Sequence, residues 1–133
     1  MKASELRIGN LVDLGNRIAK VIEINHLSCV VVDLEETQDT IEDYERTKPI
    51  SLTEKWLLKF GFKLAGDFTN TRVLDVVKHA YDCSEIRYSP NEGLLRFSNG
   101  GIKGSTIIPY VKHVHQLQNL YFALTGEELT LKS

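Results

Sequence analysis

The chain has only two cysteines, Cys29 and Cys83, in 133 residues, and they form no paired motif. A disulfide-stapled scaffold is therefore excluded as the source of stability. At this length, with 42% hydrophobic residues, an ordinary core suffices. Both cysteines sit among apolar or mixed neighbours, the usual setting of reduced thiols, so a reducing cytoplasm is the expected compartment. Long hydrophobic runs are missing too. The longest apolar stretches, such as Cys29-Val30-Val31-Val32, are strand-sized and far short of a bilayer span. The opening residues Met1-Lys2-Ala3-Ser4-Glu5-Leu6-Arg7 carry charges of both signs and no apolar h-region. No secretion signal and no membrane partner are expected.

Positive charge is scarce where it would matter for nucleic acid. Net charge is −2. Residues 1–46 hold five Lys/Arg against ten Asp/Glu, seven of the acids lying between Asp33 and Glu45. Residues 47–133 hold eleven Lys/Arg against eight Asp/Glu. This balance is a poor basis for wrapping duplex nucleic acid, where neutralising phosphates dominates affinity. The acidic stretch reads as a solvated loop, with Thr40-Ile41-Glu42-Asp43-Tyr44 as an edge strand inside it whose charges discourage aggregation.

What is present reads as one α+β domain over residues 1–133, with a β-meander over 1–48 and an α+β subregion over 49–133. Gly9 to Gly15 predicts a short strand ended by the turn pair Gly15-Asn16. Arg17 to Ile24 follows, with Ile18, Ile22 and Ile24 on one face and Ala19 and Val21 on the other. Leu27 to Leu34 is β-branched and bounded by polar residues, the mark of a buried or half-buried strand. Strands with such short links form a meander. The spacing of Gly9, Val12, Gly15, Val21 and Ile24 resembles the first strands of small SH3-like barrels, some of which contact RNA.

Pro49 to Phe62 predicts a short capped helix. Thr53 is placed to cap it through its hydroxyl, and Leu52 and Leu57 fit a hydrophobic staple. Gly61 suits a left-handed stop, letting Phe62 fold back onto Leu57. Over Asn70 to Asp82 the apolar spacing argues for a helix and the valine content for a strand; helix is the preferred reading. Glu85–Pro90 and Leu94–Asn99 flank Asn91-Glu92-Gly93 as a hairpin. The chain closes with an amphipathic helix in which Val111, Val114, Leu117, Leu120, Tyr121 and Leu124 make one stripe, and Gly126 supplies the stop. A second stripe of His115, Gln118 and Phe122 is not plainly solvent-like, and it is the candidate partner interface.

Chemistry is harder to find. His113 and His115 would share a face on a strand, but on a helix they point about 200° apart. His79 and Cys83 would share a helix face as two ligands only, so no metal site is expected. Asn99 to Thr106 is glycine-rich but lacks phosphate-loop spacing, because Gly104 separates Lys103 from Ser105. No nucleophile elbow or cysteine-nucleophile signature appears. No catalytic residue, cofactor or enzymatic activity is expected. The hairpin interleaves Arg87-Tyr88 with Arg96-Phe97, so a sheet displaying these four together would suit single-stranded nucleic acid, the alternative reading.

Three segments carry a resemblance: Glu5 to Val12, Pro49 to Phe62, and Val114-His115-Gln116-Leu117-Gln118-Asn119-Leu120-Tyr121-Phe122-Ala123-Leu124-Thr125-Gly126-Glu127-Glu128-Leu129. They resemble a family of short, uncharacterised bacterial proteins associated with phage or mobile elements. Residues 63–112 depart from it. The resemblance implies a cytoplasmic accessory role and assigns no residue a function. The expectation is a non-enzymatic protein-interaction module whose partner is another protein or a second copy of the chain.

Overall fold

The structure, a computed structural model, describes residues 1–34, 39–64, 71–75, 84–90, 92–99 and 105–132. It is α+β, with two antiparallel sheets and a closing helix, as the sequence predicts. The chain divides into two compact units. The first comprises residues 1–51 and 113–120, and the second 52–112 and 121–133.

In the first unit, β1 (Leu11–Asp13), β2 (Ile18–Ile24), β3 (Ser28–Asp33) and β4 (Asp39–Asp43) form a meander in chain order. Gly15 makes the first turn at φ +96°, and its N–H donates to Asp13 Oδ1 at 2.7 Å. After β4 and a 3₁₀ turn at Tyr44–Arg46, the chain returns to β1. Asp13 and Lys48 exchange both backbone hydrogen bonds at 2.9 Å. The core is Leu6, Val12, Ala19, Val21, Cys29 and Val31, with Ile24, Leu14 and Tyr44 packed against it.

The facial alternation expected for β2 does not survive intact. Ala19 and Val21 are fully buried, and Val21 pairs with Val31. The next pair is Glu23 with Val30, so Ile22 is an extra residue. This bulge shifts the phase by one. Ile24, opposite Cys29, joins the core side with Ala19 and Val21 instead of sharing a face with Ile18.

In the second unit, α1 (Glu54–Lys59) precedes β5 (Lys63–Leu64), β6 (Arg72–Asp75), β7 (Ser84–Ser89), β8 (Leu94–Asn99) and β9 (Ser105–Ile108), paired in chain order. Leu57, Phe60, Phe62, Ile86 and Leu95 are almost wholly buried. The stop of α1 forms as expected. Gly61 adopts φ +95°, its N–H donates to Leu58 O, and the Phe62 N–H donates to Leu57 O, both at 3.0 Å. These are the two bonds of a Schellman motif. Thr53 occupies the N-cap, but its side chain makes no capping bond. Glu54 instead accepts from Arg72 Nε at 2.8 Å.

Arg72–Asp75 is a strand, where a helix was the preferred reading. β7 pairs along its whole length and β5 pairs at Arg72 and Val73, so neighbouring strands supply its backbone partners, and β-branched Val73 suits a sheet. The rest of that segment, with His79 and Cys83, lies outside the described residues, as do Asn91 and the glycine loop 100–104.

Helix α2 (Val114–Thr125) gives its first two turns to the first unit and its end to the second. Gly126 ends it at φ +73°.

Candidate functional site

In the first unit, the face of α2 proposed for a partner is taken up by the chain itself. His115 is 3% exposed and Gln118 is 2% exposed. Gln118 pairs with backbone as a peptide group would. Its Oε1 accepts from Leu11 N at 2.9 Å, and its Nε2 donates to Gly9 O at 3.1 Å. The segment between them is tied on its other side to β2, Gly9 N donating to Val21 O and Val21 N to Asn10 O. Asn10, fully buried, accepts from Arg7 N at 2.7 Å and donates to Asn119 Oδ1 at 2.8 Å. Asn119 Nδ2 donates to Glu5 O at 3.3 Å. Residues 118 and 119 thus hold residues 5–11 in place. In sequence these residues are polar interruptions beside an apolar stripe, and that was the available signal for a buried polar clamp. Phe122, the third residue of the proposed face, is 39% exposed in the second unit.

His113 and His115 come together after all. The helix begins at Val114, so His113 lies outside it, in a bridge with Ser51. The 200° separation holds only for two helical residues. The imidazoles stack with centroids 5.8 Å apart and planes 20° from parallel. Gln116 Oε1 accepts the His113 backbone N–H at 2.9 Å and lies 3.2 Å from His113 Nδ1. A backbone N–H only donates, so the nearby amide atom is oxygen and Nδ1 carries the proton. His115 Nδ1 is buried and has no hydrogen-bond partner among the described residues. Burial, and then the adjacent His113, hold the His115 imidazole below its usual range, with Glu5 acting the other way. Burial and His113 both favour the neutral ring. Both rings line a cavity of about 300 Å³ beside Glu5, Glu45 and Lys48. No group of three or more His, Cys, Asp or Glu among the described residues is placed to hold a metal.

The second unit separates what the hairpin seemed to combine. Arg87 pairs with Arg96, Ile86 with Phe97, and Tyr88 with Leu95. Side chains alternate across a strand. The two arginines therefore occupy one sheet face and the two rings the other, the face that buries Ile86 and Leu95. Each arginine meets a carboxylate: Arg87 with Glu85 at 3.3 Å and Arg96 with Glu92 at 3.0 Å. Arg87, Tyr88, Arg96 and Phe97 do not make a joint stacking platform.

One surface of the first unit stands out. β4 is the last strand of its sheet and pairs only with β3 among the described residues. Thr40 and Glu42 face inward, opposite Val31 and buried Cys29. Glu42 meets Arg17 at 3.6 Å. Asp39, Ile41 and Asp43 alternate with them on the outer face. Ile41 is 74% exposed, and its cross-strand neighbour Val30 is half-buried. Glu23, beyond Val30 on β2, and the exposed Asp39 and Asp43 leave an apolar centre with an acidic border, broken by Lys20 beside Val32. The sequence named this strand but not the apolar centre, because Val30 and Ile41 become neighbours only through the register.

No protein-family model, curated protein or solved structure matches the chain.

Proposed function

We propose that this protein is a non-enzymatic interaction module that receives a protein partner at the β4 edge. The observation that carries the reading is Ile41, held 74% exposed on a terminal strand whose outward backbone groups pair with no described strand. An edge of this kind is a template for an added strand: main-chain bonds supply affinity and alternate side chains supply selectivity. The SH3-like reading of the meander is supported by the return of Lys48 to β1. A cytoplasmic, mobile-element accessory role rests on the sequence resemblance alone. For the nucleic-acid alternative, Arg87 and Arg96 remain as cross-strand neighbours for phosphate contact, on the sheet face opposite Tyr88 and Phe97.

Selection of a random peptide library on the full chain tests this reading. Selected peptides are expected to slow amide exchange within residues 39–43. Peptides that bind while leaving those amides unchanged, or that protect another element, would contradict it.

A further inference from the structure

We infer that the β4 edge selects an extended segment of the pattern basic–x–apolar–x–basic. This rests on the reading of β4 as the docking edge and adds the chemistry of the partner. The outward positions are Asp39, Ile41 and Asp43, spaced by two, so a strand laid alongside presents its own alternate residues to them. The central residue of such a segment meets Ile41, extending the apolar row Val30–Ile41 by one strand. The residues two before and two after it meet Asp39 and Asp43. Opposite charges across a strand pair attract and like charges repel, so lysine or arginine is favoured at both places. Because the two acids flank Ile41 symmetrically, the pattern serves either strand direction.

The same geometry disfavours a second copy as occupant. Two β4 strands paired antiparallel about Ile41 would set Asp39 of each against Asp43 of the other, two like-charge pairs directly opposed. A parallel pairing would likewise bring acids together along the edge. The strand is thus guarded against itself and open to a basic partner, by the same pair of aspartates.

Blocked nonapeptides with Lys-Thr-Val-Thr-Lys or Glu-Thr-Val-Thr-Glu at their centre provide the probes. They are titrated into the full chain and into an Asp39→Lys/Asp43→Lys variant, and both are followed by backbone amide spectra, which also report that the variant is folded. The wild-type chain is expected to favour the lysine peptide over the glutamate peptide by about two- to thirtyfold, from two cross-strand charge pairs. The variant is expected to reverse that preference. Shifts should centre on residues 39–43 and weaken when Ile41→Thr removes the apolar contact. If both proteins bind both peptides equally at β4, the docking edge stands and the charge pattern is wrong. If neither peptide perturbs residues 39–43 in either protein, both the pattern and the docking edge are wrong.

Discussion

The Gln118 side chain completes the backbone hydrogen bonding of Leu11: its Oε1 accepts the Leu11 N–H at 2.9 Å while its Nε2 reaches Gly9 O. An amide on a helix here replaces a neighbouring strand. The contact ties residues 9–11 to the start of α2.

Removing the amide strands two backbone groups. A buried donor or acceptor left unsatisfied costs about 1–3 kcal/mol. Gln118→Ala is expected to lower unfolding stability by about 2–4 kcal/mol, since water entering the vacated space offsets part of the combined penalty. Urea unfolding checks this. A loss under about 0.5 kcal/mol, the range of an ordinary surface substitution, would show that the clamp does not form.

His115 gives the unit an acid sensitivity of known sign. Its folded-state value lies below the ordinary imidazole value of about 6.5, so below that pH the unfolded chain binds the proton more readily than the folded one. The contribution is complete above about pH 6.5 and is lost as pH falls through the depressed folded value. Chemical unfolding between pH 8 and 5 is expected to show this loss, and His115→Phe is expected to flatten it. An unchanged slope in the variant would assign the acid sensitivity to other groups.

Gly61 is held at φ +95° by the helix stop. The atoms nearest an added Cβ belong to the Lys132 side chain, Cε at 3.0 Å and Cγ at 3.2 Å, and the positive φ adds backbone strain. Gly61→Ala is expected to cost about 1–2 kcal/mol and Gly61→Asn less, because asparagine tolerates the left-handed region better. Thermal unfolding of the two variants checks the order.

Burial, and then the nearby Glu42, push the Cys29 thiol above its ordinary range. In a Cys83→Ser background, Cys29 is expected to react with a disulfide reagent at pH 8 only as the protein unfolds. Rapid labelling of the native protein would contradict its burial.

Local signals were legible where they were local. Gly61 and Phe62 announce the stop of α1 because the motif is contained within six residues. The acidic stretch reads first as a loop, and the edge strand expected within it at residues 40–44 forms at Asp39–Asp43. Other readings failed where a distant contact decided the outcome. The bulge at Ile22 is set by pairing with Val30 and Val31, and it moves Ile24 to the core side. Arg72–Asp75 becomes a strand because β5 and β7 lie beside it. His113 escapes the helical geometry because Ser51 pairs with it just before the helix begins. The candidate interface on α2 failed for the same reason: nothing near Gln118 in sequence reveals that Gly9 and Leu11 supply its partners.

Amide hydrogen exchange on the full chain with and without the Lys-Thr-Val-Thr-Lys peptide separates the two surfaces most directly. The expected result is protection at alternating amides within Asp39–Asp43, with the first turns of α2 unchanged. Protection at His115 and Gln118 with none in β4 would contradict the assignment of β4 as the partner edge.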